Sequence, residues 1–274
     1  MTFLISNYNN PLLKKIYDNL KSNNKSIKFL NEEISYKKTK NFILKNKIDT
    51  IIHTDITYDI DECEKLGTKA IDINKNAVKT LTAICKKLNI TLIYLSSQEV
   101  YGEASHISIT EGSKCTPLNT LGKSQKICEE IISQSLEKFF ILRLSWVFGT
   151  EKCYIKQIIK NAKTPLIFSS EKIVNPTSVS FITNMLLNIA QTNKFGIYNC
   201  ASSNSCSKLE FTKFIFKLID YPKEVMPFPK EIISRFTKTA TNSALDTSLL
   251  KNTFNITPKT YESEVLNYIN SNFN

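Results

Sequence analysis

Three residues of this chain have the side chains of a hydrolytic triad. Ser97 and Asp55 each follow a short apolar stretch, and His106 comes soon after Ser97. A triad serine of an α/β hydrolase is exposed on a Gly-x-Ser-x-Gly turn between a strand and a helix. The residues flanking Ser97 contain no such glycines. The sequence therefore does not favour acyl transfer, and the ordinary role of Ser97 would be to cap the backbone at a strand end.

Metal and disulfide chemistry are not favoured either. His53 and His106 are the two histidines and are widely separated. The seven cysteines have scattered spacings without a Cys-x-x-Cys pair, so neither a zinc site nor a disulfide framework is predicted. Their odd number fits a reduced cytosol, and we expect a cytoplasmic protein. Cys85 and Cys128 fall in helical patterns as small core residues.

Alternating strand and helix patterns must position any site. We predict strands at Thr2–Ser6, Ser26–Leu30, Ile48–His53, Ile90–Ser96 and Phe139–Leu144, with helices between them. The order indicates an α/β protein with a doubly wound parallel sheet of the Rossmann type. Ligands bind such sheets beyond the carboxyl ends of the strands, which places Ser6-Asn7, His53-Thr54 and Ser96-Ser97 at the expected site.

The pattern becomes less regular after Gly149. Four helices are predicted near Tyr154–Ala162, Val179–Thr192, Lys208–Leu218 and Tyr261–Phe273. We interpret residues 1–149 as a dinucleotide-binding domain. Residues 150–274 would then be a smaller, mainly helical substrate lobe with interleaved strands.

The formal net charge is +11, from 36 basic and 25 acidic residues. Only Arg143 and Arg235 are arginines, the side chain that nucleic-acid readers favour. Nucleic acid is therefore not the favoured partner, and solvated lysine-rich faces explain the charge. The first residues lack a basic segment typical of a signal peptide, and no uncharged apolar run reaches the length of a membrane span.

Several motifs in order along the chain resemble the dTDP-4-dehydrorhamnose reductase family of extended short-chain dehydrogenases. They are Asp49-Thr50-Ile51-Ile52-His53-Thr54-Asp55, Tyr94-Leu95-Ser96-Ser97-Gln98-Glu99-Val100-Tyr101-Gly102, Pro117-Leu118-Asn119-Thr120-Leu121-Gly122-Lys123-Ser124, Arg143-Leu144-Ser145-Trp146-Val147-Phe148-Gly149, Asn175-Pro176-Thr177 and Asn242-Ser243-Ala244-Leu245-Asp246-Thr247. The resemblance implies a Rossmann fold and hydride transfer from NAD(P)H to a 4-keto nucleotide sugar.

The resemblance also implies a catalytic Tyr-x-x-x-Lys pair that this chain lacks. Leu121 and Gln125 stand at the tyrosine and lysine positions, and Ser97 remains where the family has a Ser or Thr that holds the carbonyl oxygen. Leucine has no proton to donate, and a neutral amide does not lower the pKa of a phenol. Arg143 is interpreted as a structural ion-pair or cation–π residue rather than a phosphate contact.

The residues at the cofactor positions that the resemblance implies also differ from the family pattern. Asn7, Asn10 and Leu13 occupy the three positions of a Gly-x-x-Gly-x-x-Gly loop. We expect the asparagines to keep the turn through positive φ angles and to intrude on the diphosphate space. Asp55 would face the cofactor and repel its phosphates. Asn7, Asn10, Asp55 and Asn74 are therefore the candidate cofactor residues of an altered site, for which we expect no cofactor or, if the site still binds, NAD(P).

Three functions remain open on this sequence. The leading hypothesis is a pseudoenzyme with a regulatory or scaffolding role, with a protein partner or a homo-oligomer. The alternatives are an active NAD(P)H-dependent nucleotide-sugar reductase or epimerase, and a protein that binds a nucleotide sugar or another anion without redox chemistry.

Overall fold

The computed structural model describes residues 1–7, 9–30, 32–103, 108–151, 153–160, 167–169, 172–220, 226–228 and 237–273. The strands are β1 (Thr2–Ile5), β2 (Ser26–Phe29), β3 (Thr50–Thr54), β4 (Thr91–Ser97), β5 (Phe139–Leu144), β6 (Val147–Phe148), β7 (Ile167–Ser169), β8 (Ile173–Val174), β9 (Thr177–Ser178), β10 (Gly196–Cys200), β11 (Cys206–Ser207) and β12 (Met226–Phe228). The helices are α1 (Pro11–Ser22), α2 (Tyr36–Lys45), α3 (Ile60–Leu66), α4 (Thr68–Leu88), α5 (Thr120–Ser135), α6 (Tyr154–Lys160), α7 (Val179–Ile189), α8 (Lys208–Leu218), α9 (Ser248–Phe254) and α10 (Tyr261–Phe273). A 3₁₀ helix, Gln98–Val100, follows β4.

Six strands form one parallel sheet in the spatial order β2-β1-β3-β4-β5-β10. The chain begins at β1, runs outward to β2, and returns to build the other half of the sheet from β3. This reversal between β1 and β3 is the switch point at which open α/β sheets bind ligands. The doubly wound parallel sheet predicted from the sequence is confirmed.

Both faces of the sheet are covered because neighbouring strand residues point to opposite sides. Ile5 and Ile52 pack with buried residues of α1 and α7 on one face. Leu4 and Ile51, one residue earlier in each strand, pack with buried residues of α2, α4 and α5 on the other. The uninterrupted apolar strands of the sequence reflect this burial on two sides.

The region after Gly149 contributes to a second apolar cluster and to the sheet. Helices α6, α8 and α10 surround a separate apolar cluster around Phe211. In contrast, β10 pairs with β5 along its whole length and forms the edge of the sheet. The sequence pattern did not identify this short strand, and the domain boundary after Gly149 stays a prediction.

The helical segment between β3 and β4 consists of two helices, α3 and α4. Gly67 separates α3 from α4 with φ of 54° and ψ of −126°. This backbone conformation is open to glycine and strained for other residues, so the helix is broken there. Among the helices of the described residues, none has the length and apolarity needed to cross a membrane.

Candidate functional site

The carboxyl ends of β3 and β4 meet the first half of α5. Ser97 is the last residue of β4, Asp55 directly follows β3, and Gln125 lies in the second turn of α5. Asp55 and Gln125 are buried, and Ser97 is half-buried. The fold therefore brings together three of the residues that the sequence singled out.

A chain of hydrogen bonds connects these side chains. The Ser97 hydroxyl donates to Gln125 Oε1 at 2.6 Å, and Gln125 Nε2 donates to Asp55 Oδ2 at 2.8 Å. The Tyr94 hydroxyl donates to Asp55 Oδ1 at 2.6 Å. A hydroxyl has one proton to give. The proton that Ser97 could offer to a carbonyl oxygen is therefore already donated to Gln125.

Burial raises the pKa of Asp55 to about 7, while the hydrogen bonds from Tyr94 and Gln125 act in the opposite direction. Nearby Glu129 raises the pKa further. The same burial keeps the pKa of Tyr94 well above its ordinary value, so its phenol stays protonated. The network thus contains one group that titrates near neutral pH, at its buried end.

Two residues fix α5 against the 3₁₀ helix. The Asn119 side chain caps α5 by accepting from Gly122 N at 2.9 Å, and its amide donates to Glu99 Oε2 at 2.7 Å. A Cβ at Gly122 would lie 2.2 Å from the carbonyl oxygen of Glu99, so glycine permits this close approach. The register of α5 that places Leu121 and Gln125 depends on this contact.

Leu121 belongs to a small apolar cluster with Cys63 and Ala70. Tyr101, which follows the 3₁₀ helix after β4, is hydrogen-bonded within the protein. Its hydroxyl donates to Asn199 Oδ1 and accepts from Arg143 Nη1, each at 2.7 Å. Burial raises the pKa of Tyr101. Neither residue supplies the proton that a reductase tyrosine gives.

Arg143 has the structural role that its sequence context predicted. It forms a buried ion pair with Glu129 of α5 at 2.6 Å, and its guanidinium lies 4.7 Å from the ring centroid of Tyr101. The aromatic partner of Arg143 is thus Tyr101, and the interpretation as an ion-pair or cation–π residue agrees with both contacts.

The Asn74 side chain is buried and hydrogen-bonded to neighbouring segments of the protein. Its Oδ1 accepts from the backbone of Ile56 and Thr57, each at 3.0 Å. Its Nδ2 donates to Thr57 O at 3.0 Å and to Ser124 Oγ at 3.1 Å. These bonds join the loop after β3 to α4 and α5, and they use both donors of the amide.

The loop between β1 and α1 holds Asn7 and Asn10. Asn10 is the N-cap of α1, and its Oδ1 accepts from Leu12 N at 2.9 Å and Leu13 N at 3.3 Å. Its φ is −72°, and no described asparagine of this loop has a positive φ. The expectation of a left-handed asparagine turn is therefore wrong, because a capping geometry with extended backbone replaces it. Leu13 is fully buried against the sheet.

Asp55 also departs from its predicted role. Its two oxygens are bound by Tyr94 and Gln125, and 1% of the residue is exposed. A carboxyl held in this way, with its pKa near 7, does not act as a fixed charge facing phosphate. The predicted repulsion of a cofactor by Asp55 is not supported by this placement.

A second polar network escaped the sequence analysis. Ser145 Oγ donates to Gln98 Oε1 at 2.6 Å and accepts from Asn175 N at 3.0 Å. Asn175 in turn accepts from Leu245 N at 2.8 Å and donates to Ser202 O at 3.1 Å. The signal available in the sequence was the polar residue directly after each of β4, β5 and β8.

The remaining candidates give no further site. Within the described ranges, no group of three His, Cys, Asp or Glu side chains could hold a metal ion. His53 is buried beside Ser6, with 2.6 Å between Ser6 Oγ and His53 Nδ1, and burial lowers its pKa to about 3. His106, the third residue of the triad considered above, lies outside the described residues.

The doubly wound parallel sheet, with its switch point between β1 and β3, defines the class of α/β proteins with a Rossmann-like fold. The family model described as the RmlD substrate binding domain matches residues 1–273. The chain belongs to this family, in agreement with the resemblance drawn from its motifs.

Curated relatives bear the name dTDP-4-dehydrorhamnose reductase. The Aggregatibacter actinomycetemcomitans protein is 25% identical over 81% of this chain and 80% of its own length. The Sinorhizobium fredii protein is 24% identical over 59% of this chain. That match spans 58% of the length of the S. fredii protein.

Solved structures show the same fold across the chain. A dTDP-4-dehydrorhamnose reductase from Clostridium acetobutylicum superposes with a TM-score of 0.91 at 23% identity, covering 99% of each chain. The Bacillus anthracis enzyme, solved with NADP, gives 0.92 at 20% identity, covering 99% of this chain and 100% of its own. MoeE5 in complex with UDP-glucose and NAD gives 0.82 at 14% identity, covering 100% of each chain.

Proposed function

We propose that this chain is a member of the reductase family that lacks reductase activity and serves as a regulatory or scaffolding protein, with a protein partner or a second copy of itself. One observation carries the proposal: Gln125 accepts a hydrogen bond from the Ser97 hydroxyl. Leu121, at the position of the proton donor, lies in an apolar cluster. The intact sheet and core support a retained scaffold.

The chain has no general acid at the tyrosine position, which Leu121 occupies. Positioned proton donation contributes about 10²- to 10⁴-fold to a reaction rate. Among the described tyrosines near Ser97, neither Tyr94 nor Tyr101 replaces the general acid, since Tyr94 donates to Asp55 and Tyr101 donates to Asn199. A ketone bound here would receive neither a proton nor a hydrogen bond from Ser97 without breaking the contact to Gln125.

Turnover of dTDP-4-dehydrorhamnose with NADH or NADPH tests this proposal. We expect no oxidation of either nucleotide above the rate without protein, under conditions in which the A. actinomycetemcomitans reductase turns over. The matched control is Ser97→Ala. Steady oxidation by the natural chain that disappears in Ser97→Ala would refute the proposal.

An active reductase is the second candidate, and the Asp55 carboxyl favours it. Its pKa of about 7 is the value expected of a general acid at neutral pH, and Gln125 connects it to Ser97. Such an enzyme would lose activity in Asp55→Asn and would show a rate that falls as Asp55 ionises. A non-catalytic scaffold shows no activity to lose.

Nucleotide-sugar binding without redox chemistry is supported by the fold shared with MoeE5. A thermal-shift series with dTDP- and UDP-sugars separates this function from scaffolding alone. A rise in melting temperature specific to one sugar would support it, and unchanged melting across the series would remove it.

A further inference from the structure

A small cleft lies beyond the carboxyl ends of β1, β2 and β3, next to the switch point between β1 and β3. Its volume is about 240 Å³, and it is lined by Ser6, Asn7, Asn9, Leu30, Glu32, Glu33, Ile34 and Ile56. Pockets that enclose drug-sized ligands measure about 300–1,000 Å³. The cleft therefore suits one nucleoside better than a complete dinucleotide.

Phosphate recognition at a Rossmann cleft depends on free backbone N–H groups at the start of the first helix. Here these groups are bonded within the protein: Leu12 N and Leu13 N donate to Asn10 Oδ1, and Lys14 N donates to Asn10 O at 2.9 Å. Pro11 has no N–H. The residues that start α1 therefore do not fit a cofactor diphosphate.

The loop before the helix is closed in the same way. Asn9 N donates to Asn7 Oδ1 at 3.2 Å, and Asn10 N donates to Asn7 O at 3.4 Å. From Asn9 to Lys14, each backbone N–H thus has a partner inside the chain. A diphosphate would have to displace these contacts before it could bind.

The charge of the cleft opposes phosphate as well. Although the chain has a net charge of +11, the charged side chains that line the cleft are Glu32 and Glu33. Lys38 lies 3.7 Å from Glu32 in an exposed ion pair, outside the lining. An acidic residue after the second strand accepts hydrogen bonds from ribose hydroxyls and disfavours a 2′-phosphate. Leu30, Ile34 and Ile56 supply an apolar wall for a base.

We infer that this cleft binds a nucleoside with free ribose hydroxyls and excludes its phosphorylated forms, with Asn10 excluding a 5′-diphosphate and Glu32 and Glu33 excluding a 2′-phosphate. The inference rests on the proposed function, since a chain without hydride transfer has no need of the dinucleotide. It turns the cleft from a cofactor site into a site for a neutral nucleoside.

Calorimetry on the full chain with adenosine, ADP, 2′-AMP, NADH and NADPH tests this inference. We expect adenosine to bind at millimolar concentration or below and the four phosphorylated compounds to bind at least about 10-fold more weakly. Tighter binding of ADP, NADH or NADPH than of adenosine would overturn the inference, as would no binding of adenosine. The turnover assay above is independent: NADPH that binds without being oxidised contradicts this inference and leaves the proposed function standing.

Two pairs of variants assign the selectivity to its residues. Asn10→Gly frees Leu12 N and Leu13 N with little loss of helix stability, whereas Asn10→Ser keeps a side-chain cap. We expect ADP affinity to rise at least about 10-fold in Asn10→Gly and to stay unchanged in Asn10→Ser. The affinity for 2′-AMP should rise by a similar factor in the Glu32→Gln, Glu33→Gln double variant. It should stay unchanged in Glu130→Gln, the control on the exposed side of α5. Equal affinities in each pair would contradict the assignment.

Discussion

The polar residues at two altered positions, Gln125 and Asn10, form hydrogen bonds within the protein. Gln125 binds both Ser97 and Asp55, and Asn10 binds the first amides of α1. A buried polar group without a partner costs about 1–3 kcal/mol. Internal partners avoid this cost. They occupy the Ser97 hydroxyl and the first backbone N–H groups of α1, which are therefore not free for a ligand.

Asp55 gives a testable pH dependence at the residue scale. Burial raises its pKa from 3.8 to about 7, so the folded protein holds a proton over an interval in which the unfolded chain has released it. The free energy of unfolding should therefore fall by on the order of 3 kcal/mol as pH rises from about 4 to about 8. Asp55→Asn removes this fall, since an amide binds no proton and can still pair with Gln125 after rotation of that side chain. Urea unfolding of both proteins across this pH range measures the difference, because all other ionisable groups are common to both. Parallel stability curves would show that Asp55 does not titrate in this interval.

At the scale of elements, the site depends on the contact between α5 and the 3₁₀ helix after β4. Ser97 caps the 3₁₀ helix by accepting from Glu99 N at 3.2 Å, and Asn119 caps α5 while binding Glu99. The two caps hold the ends of these elements together, and Gly122 permits the contact. The distance between Ser97 and Gln125 is thus set by helix packing.

Gly122→Ala tests this contact. The new Cβ would meet the backbone of Glu99 at 2.2 Å, which forces α5 to shift. We expect the free energy of unfolding to fall by about 1–3 kcal/mol, even though alanine is the better helix former. Gly112→Ala is the matched control, because nothing lies within 4 Å of the added Cβ and φ is not positive there. Chemical denaturation of the two variants provides the comparison, and equal stability would mean that α5 is not held by this approach.

At the scale of the whole molecule, the buried Asn175 joins two other segments, the loop after β10 and the stretch at Leu245, to the residue that follows β5. Asn175 contacts Ser202, Asn204 and Leu245, and its backbone N–H donates to Ser145 after β5. The same region supplies β10 to the sheet edge. The region after Gly149 and the sheet are therefore linked by polar contacts as well as by strand pairing.

Asn175→Ala should destabilise the protein by about 2–4 kcal/mol, since it leaves the buried Leu245 N–H and Ser202 C=O without their partner. Asn184→Ala, at an exposed position of α7, should change the free energy of unfolding by less than about 0.5 kcal/mol. Thermal and urea unfolding report both values. A similar small effect of the two substitutions would contradict the role assigned to Asn175.

Sequence alone determined the order of strands and helices from β1 to β5. It also determined that the Tyr-x-x-x-Lys pair is absent, since Leu121 and Gln125 stand at its two positions. Phe139–Leu144 and Lys208–Leu218 have the predicted bounds, because an apolar run and a capping box at Ser207 are local signals. The Asn10-Pro11 pair was a similar signal for the cap of α1, since asparagine favours the N-cap and proline the first helical position.

Only the tertiary structure decided which hydrogen bonds Ser97, Gln125 and Asp55 form. Gln125 and Asp55 are 70 residues apart in the chain, and Ser97 lies 28 residues from Gln125. Their hydrogen bonds depend on how α5 packs across the ends of β3 and β4, which no local pattern specifies. The same holds for β10, whose short and weakly apolar sequence becomes a strand because β5 offers it an unpaired edge.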